Sequence, residues 1–294
     1  MRAAAILGLG CSPKDLRPFQ QVQGVDWRIG MPGHGESDVI LLFGGDGTIH
    51  RHLGQLVKLA LPVLVVPAGS GNDFATSLGH RRVADALSAW RTYCGDGVNV
   101  RAIDLGIITA LSHGTPAESR YYCCVAGVGI DAAVAVRANR MPRWLRGHGG
   151  YALSLAPAIF TFSPFPLKLQ VPAEGQGPIG QWTTRSEKPV LIAALANTPL
   201  YGGGMKVAPR AKMDDGLLDV CVVGGLHPVK LFTVFPTVYA GRHHGIKEVE
   251  YFQAARLRVE TEHPMDVYAD GEFVCRTPIE VSVQAAALKV IAPA

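Results

Sequence analysis

Two short stretches carry residue types that could do phosphate chemistry. Gly44-Gly45-Asp46-Gly47-Thr48 follows the apolar run Val39–Phe43, and Pro67-Ala68-Gly69-Ser70-Gly71-Asn72-Asp73 follows the apolar run Val63–Val66. A phosphate chain needs bare backbone N–H groups and room for the main chain to approach. Glycine supplies both, and a following helix N-terminus adds a favourable dipole. In the first stretch Thr48 is placed to cap the helix that follows. In the second, Gly69 and Gly71 supply backbone while Ser70 and Asn72 supply hydrogen-bonding side chains. Each stretch also holds one carboxylate, Asp46 or Asp73. Either stretch alone reads equally as a tight turn, and neither is GxxxxGK[ST] or GxGxxG.

The surrounding residues say what positions these loops. Val39–Phe43 and Val63–Val66 are continuous apolar runs, as strands buried on both faces require. Between them Ile49, Leu53, Leu56, Val57 and Ala60 recur at helical spacing until Pro62 ends the helix. After the second loop Val83, Leu87 and Trp90 recur likewise. Strand–helix–strand–helix predicts a parallel sheet. Both loops then follow carboxyl ends of parallel strands, the edge at which open α/β sheets bind ligands. On that reading Asp46 and Asp73 converge on one crevice.

From about residue 100 the texture changes to short strand-like runs separated by turns rich in Gly, Pro and Asp: Val100–Thr109, Tyr121–Ala126, Leu167–Val171, Val190–Ala196, Leu217–Val223, Leu257–Glu260, Met265–Tyr268 and Ile279–Val283. Helical stretches interrupt near Gly149–Phe160 and Val229–Tyr239, and Pro172–Ser186 reads as an exposed hairpin or loop. The expected organisation is α/β plus all-β. Residues 1–99 form an α/β domain and 100–285 a mainly antiparallel β domain, with 286–294 returning toward the first.

Composition sets bounds. With 294 residues, 48% hydrophobic and 18% charged, the chain can bury a large core. A net charge of +4 is too mild to indicate nucleic acid. The six cysteines lack CxxC spacing and read as reduced thiols. Cys123 and Cys124, as strand neighbours, would point to opposite faces and make a poor metal site. No stretch of about 18 apolar residues exists, so the expectation is a soluble, cytoplasmic protein. His243-His244 resembles a metal pair only superficially, because sequence neighbours diverge in direction.

GGDGT followed by PAGSGND resembles the diacylglycerol kinase catalytic domain family, which includes bacterial lipid kinases and sphingosine and ceramide kinases. NAD kinases and phosphofructokinases share the first motif. The second half separates them: Asn197-Thr-Pro-Leu-Tyr201-Gly-Gly-Gly204, Ala208-Pro209 and Asp214-Asp215-Gly216-Leu217-Leu218-Asp219 are similar to that family's N…YGGG…AP…DDGxLD signature. Gly127–Ala132, Gly149–Tyr151 and Asp270-Gly271-Glu272 fall in the expected order. The resemblance runs from about residue 37 to the end. The family's N-terminal Asn-Pro loop has no counterpart here. That place reads Leu7–Pro13, where Gly8 and Gly10 offer a substitute.

The resemblance implies an N-terminal nucleotide-binding domain of the NAD kinase and diacylglycerol kinase type, a C-terminal β-sandwich, and ATP between them. ATP would lie along Gly44, Gly45, Asp46, Gly47 and Thr48 and along Gly69, Ser70, Gly71, Asn72 and Asp73. Asp270 would be the general base, with Glu272 beside it. Asp46, Asp73 and Asp104 would form a water-linked acidic network around Mg²⁺. Asp215 and Leu217 would hold a second, structural cation. Each has a plain alternative: Asp270-Gly271 is common hairpin chemistry, Asp214–Gly216 and Asp104 can serve turns, and Tyr201–Gly204 can be a bulge.

The implied activity is ATP- and magnesium-dependent phosphorylation of a lipid hydroxyl, diacylglycerol first and sphingoid base or ceramide next. The alternatives are a soluble NAD-kinase-like enzyme and a non-catalytic protein binding lipid or nucleotide. Arg137, Arg140, Arg143 and Arg146, interleaved with Met141 and Trp144 and interrupted by Pro142, suit an anionic membrane surface or a solvated face. Tyr151–Phe162 and Leu231–Tyr239 could line an acyl-chain channel or serve as core. The expected setting is peripheral, at the cytoplasmic face of the inner membrane, with a homodimer left open.

Overall fold

A computed structural model describes residues 1–112, 115–130, 134, 162–173 and 181–293. Asp131, the arginine-bearing stretch 137–146, Gly149–Tyr151 and nearly all of Tyr151–Phe162 lie outside the described residues. The chain divides into two compact units, Met1–Asp104 with Ala285–Ala294, and Leu105–Gln284.

The first unit is built on a parallel sheet. Strands β1 (Arg2–Leu7), β2 (Asp26–Ile29), β3 (Val39–Gly44) and β4 (Val63–Pro67) run in the order β2-β1-β3-β4, and Val290 of β15 (Ile279–Ile291) pairs in parallel with Val63. Every residue of β3 and β4 is buried, as a parallel sheet covered on both faces requires. On one face Val39, Leu41, Phe43, Leu64 and Val66 pack with Leu16 and Phe19 of α1 (Pro13–Gln20) and with Ala86, Ala89 and Trp90 of α4 (Val83–Gly95). The Trp90 indole N–H donates to the Phe19 carbonyl at 3.1 Å. The buried face of α4 therefore runs Ala86–Ala89–Trp90, and Val83, expected to face inward, is exposed. In α2 (Asp46–Leu59) the buried positions are Ile49, Leu53 and Leu56. Ala60, counted in that helical run, lies past its end in a left-handed conformation. The short α3 (Asp73–Ser77) follows β4.

The second unit is antiparallel throughout its described pairings. Strands β5 (Val100–Ser112) and β15 run across the unit boundaries. The others are β6 (Thr115–Tyr122), β7 (Val125–Gly129), β8 (Phe165–Pro172), β9 (Trp182–Ala196), β10 (Leu218–Gly224), β11 (Val249–Ala254), β12 (Arg256–Thr261), β13 (Asp266–Ala269) and β14 (Glu272–Arg276). The order β14-β13-β7-β9-β8-β12-β15 forms the main path, with β10 and β11 branching from β9. Residues such as Val190, Leu195, Leu218, Val220, Leu257 and Val259 fill the core, at alternate positions on β10 and β12. Pro172 pairs with Trp182, so the expected loop at 172–186 is a hairpin whose residues from 182 onward are already strand. The helix α5 (Pro228–Tyr239) has no buried residue. Leu231 and Phe235 pack beside Ile130 and Val134, while Val229 and Phe232 are exposed, so α5 is not a core helix. No described helix is long and apolar enough to cross a membrane.

Candidate functional site

The two glycine loops of the first unit are locked together by their own backbone. The Asp46 N–H donates to the Gly71 carbonyl at 3.3 Å, and the Ala68 N–H to the Gly44 carbonyl at 3.2 Å. The glycines are required by this contact. A Cβ on Gly45 would sit 2.4 Å from the Gly71 oxygen, and one on Gly69 would sit 2.4 Å from the Gly45 Cα. Within the second loop, Asn72 closes the turn by accepting from the Gly69 N–H and donating to the Gly69 carbonyl, both at 3.0 Å. Gly69 and Ser70 remain exposed at the tip.

Thr48 does not cap α2. The helix starts at Asp46 with Gly45 as its N-cap, and Thr48 lies in the first turn with its N–H on the Gly45 carbonyl at 2.9 Å. Its side chain fills the space beside Gly44 and Gly8, where a Cβ on either glycine would come within 2.8 Å of the Thr48 hydroxyl. The Gly8 N–H donates to the Phe43 carbonyl at 2.7 Å. Gly8, in the stretch that lacks Asn-Pro, is thus built against the first loop.

Asp46 reaches across to the second loop. Its two carboxylate oxygens accept from the N–H groups of Asp73 at 3.1 Å and Phe74 at 3.0 Å. An acid thereby satisfies the first N–H groups of α3, where negative charge is favoured. Asp73 is buried. Asp104 is also buried and accepts from the Ala286 N–H at 2.8 Å, fixing a left-handed residue of the returning strand. Asp46, Asp73 and Asp104 do not bring three ligand atoms within 4.8 Å of one another; among the described residues that happens only at Cys123, Cys124 and Asp270. A single ion bound directly by all three acids does not fit this arrangement.

In the second unit Asp270 and Gly271 form the two-residue loop joining β13 to β14, with Ala269 opposite Glu272. Both loop residues have positive φ, 52° and 84°, as a type I′ hairpin demands. Asp270 is not merely a turn residue, because it is only 7% exposed and its carboxylate is turned onto backbone N–H groups. One oxygen accepts from the Cys123 N–H at 2.9 Å and the other from the Cys124 N–H at 2.8 Å. The opposite side of that bend is held by Asn197, whose N–H donates to the Cys124 carbonyl at 2.8 Å and whose side-chain amide donates to the Cys123 carbonyl at 3.0 Å. Asn197 is fully buried. Its position in the motif was visible in sequence, but its role depends on a partner 74 residues away. Glu272 is exposed on β14. The buried Tyr122 hydroxyl is pushed well above its ordinary pKa by burial, with the Asp270 charge adding to the effect.

Cys123 and Cys124 are corrected by this geometry. They lie in a bend between β6 and β7, not in a strand, and their sulfurs are 4.0 Å apart on the same side. Tyr201 and Met205 exchange backbone bonds at 2.9 Å around Gly202, Gly203 and Gly204, all at positive φ, so Tyr201–Gly204 is a tight glycine turn. In the DDGLLD segment Asp214 and Asp215 are exposed, and Asp215 accepts from the Leu217 N–H at 3.1 Å, a turn-forming bond. Asp219 is fully buried on β10 and accepts from the Tyr251 hydroxyl and, at 3.3 Å, from Gln253. Burial raises its carboxyl pKa. His243 is buried near Cys221; its Nε2 lies 3.1 Å from the Val207 carbonyl, and burial with the neighbouring His244 charge lowers its pKa to about 4.

Comparison with known proteins agrees with this architecture. Residues 31–108 match the model of the diacylglycerol kinase catalytic domain, and residues 124–292 match that of the YegS C-terminal NAD kinase beta sandwich-like domain. The chain is 32% identical over 263 residues to a diacylglycerol kinase of Mycobacterium tuberculosis, covering 87% of this chain and 77% of that protein. It is 28% identical over 240 residues to a diacylglycerol kinase of Bacillus subtilis, covering 81% and 72%. Its fold matches a crystal structure of a diacylglycerol kinase from Bacillus anthracis with a TM-score of 0.68 at 18% identity, over 99% of this chain and 96% of that one. An NAD kinase from Archaeoglobus fulgidus in complex with ATP matches with a TM-score of 0.55 at 14% identity, over 100% and 94%.

Proposed function

The chain belongs to the diacylglycerol kinase catalytic domain family, and on that premise we propose that it transfers the γ-phosphate of ATP to a lipid hydroxyl, diacylglycerol first. The observation that carries this reading is the Asp270 carboxylate, buried in a hairpin turn and held by two backbone N–H groups. Phosphoryl transfer asks the protein mainly for positioning, charge neutralisation and a base for the attacking hydroxyl. A base must be fixed within hydrogen-bond reach of the proton it takes. The Cys123–Cys124 backbone fixes Asp270 in the position from which it would take that proton.

The glycine loops supply the other requirement. The exposed backbone of Ser70 and the N-terminal end of α2 would face the nucleotide's phosphates, where the helix dipole favours negative charge. Magnesium would neutralise phosphate charge, held through water by Asp46, Asp73 and Asp104. Asp215 and the Leu217 carbonyl would hold a further cation. Exposed Val229 and Phe232 on α5 suit apolar contact with a bilayer at its cytoplasmic face.

The test is transfer from γ-labelled ATP, with magnesium, to mixed micelles carrying diacylglycerol, sphingosine or ceramide, and separately to NAD. Labelled phosphatidic acid, with diacylglycerol the preferred acceptor, is the expected product. Transfer to NAD alone, or to no acceptor, would overturn the reading.

A further inference from the structure

The geometry points to a second chemistry at Cys123, Cys124 and Asp270: a site for one thiophilic divalent cation of the zinc class. The two sulfurs are 4.0 Å apart, and the Cys123 sulfur is 3.5 Å from an Asp270 oxygen. All three ligand atoms lie within 4.8 Å of one another. A tetrahedral ion with metal–sulfur bonds of about 2.3 Å and metal–oxygen bonds of about 2.0 Å requires a sulfur–sulfur edge of about 3.8 Å and a sulfur–oxygen edge of about 3.5 Å. The sulfur–sulfur edge and the Cys123 sulfur–oxygen edge meet those requirements with little movement, and the Cys124 sulfur lies within 4.8 Å of the oxygen it would share the ion with.

The ligands are also held in advance. Asp270 grips the N–H groups of the bend and Asn197 grips its carbonyls. The three residues are 0%, 2% and 7% exposed, so water competes weakly. Two sulfurs and one oxygen select a borderline-soft ion over magnesium, which prefers oxygen. A tetrahedral ion held by these three takes one further donor. Each thiol binds as thiolate, so one ion releases two protons to solvent and nothing is oxidised or reduced.

The consequence rests on the proposed role of Asp270. An ion bound there would engage the carboxylate that is to take the acceptor's proton. Zinc then inhibits transfer, excess magnesium does not relieve it, and a strong chelator does.

The probe is Co²⁺, added to equilibrium to the reduced, metal-free full chain. One equivalent should give a thiolate-to-cobalt charge-transfer band and the visible bands of four-coordinate cobalt, and zinc should displace it. Cys123→Ser and Cys124→Ser, each checked for folding by circular dichroism, should lose the charge-transfer band to background. A variant replacing Cys11, Cys94 and Cys275 by serine should keep it, which makes the test independent of whether the first two variants fold. Asn197→Ala should weaken binding roughly 10–100-fold, as loss of an outer-shell partner does. Absence of the band in wild type, its loss in the triple variant, or its persistence in folded Cys124→Ser would overturn the site, whatever the kinase activity. Activity with and without zinc is then compared within each protein. A cobalt site without zinc inhibition would overturn the link to Asp270 and leave the metal site standing.

Discussion

Adding one methyl group at Gly45 and one at Gly54, both associated with α2, should move stability in opposite directions. At Gly45 the backbone already has φ −105°, which alanine accepts, so any cost is steric. The new Cβ would lie 2.4 Å from the Gly71 oxygen and 3.0 Å from the Gly69 Cα, where ordinary contact begins at 3.4 Å. Both obstacles are backbone, and no rotamer change relieves them. Separating the loops by the missing distance, about 1 Å, would stretch the Asp46 bonds to the Asp73 and Phe74 N–H groups from 3.1 and 3.0 Å toward about 4 Å. Overpacking costs about 1–3 kcal/mol, and a hydrogen bond to a charged group contributes about 1.5–3 kcal/mol. With partial relaxation, Gly45→Ala should destabilise by about 3–5 kcal/mol. A Cβ on Gly54 meets nothing within 4 Å, so Gly54→Ala should stabilise by about 0.5–1 kcal/mol through helix propensity. Urea unfolding of the three proteins, compared at equal slope, reads both. A Gly45→Ala midpoint within about 1 kcal/mol of wild type would refute the loop-contact argument. So would equal losses from both substitutions.

Asn197→Ala strips the amide from the Cys123 carbonyl and should cost about 1–3 kcal/mol, while lowering kcat more than it raises KM; urea unfolding and steady-state kinetics check the two parts. Tyr251→Phe leaves the buried Asp219 carboxylate with Gln253 alone among the partners described above, and should lower stability by about 1.5–3 kcal/mol in the same unfolding assay. The pH dependence follows from His243. Its pKa falls from 6.5 to about 4 on folding, chiefly through burial, so the unfolded chain holds the proton more readily. Its contribution to stability is complete above about pH 6.5 and is lost as pH falls toward 4, at most about 3 kcal/mol and less after solvent screening. Nδ1 has no partner among the described residues, so protonation there gains no hydrogen bond. Unfolding midpoints measured from pH 7 to 4 should fall across that window, and His243→Gln should flatten the slope.

The parallel half of the fold was legible because its central strands announce themselves. Val39–Phe43 and Val63–Val66 are unbroken apolar runs, and a strand buried on both faces needs nothing subtler. Strands β11 and β14 were not foreseen, since Val249–Ala254 has no fully buried position and Glu272–Arg276 is largely exposed, leaving no period of two to detect. The inward face of α4 was misjudged at Val83 because alanines, Ala86 and Ala89, carry the packing there. In the candidate site the motifs were visible and the partnerships were not. Asp46 capping α3, Asn197 clamping a bend and Asp270 meeting Cys123 and Cys124 join residues 27, 74 and 147 positions apart. The cysteine pair was misplaced for the same reason: a distant carboxylate, not a neighbouring strand, takes their N–H groups.

Asp270→Asn keeps the size of the side chain and removes its capacity to take a proton, which makes it the most direct probe of the central claim. The measurement is single-turnover transfer from labelled ATP to the preferred lipid, alongside ATP binding by calorimetry. The account predicts transfer reduced by about 10²-fold or more with ATP affinity retained. Transfer at close to the wild-type rate by folded Asp270→Asn protein would contradict it.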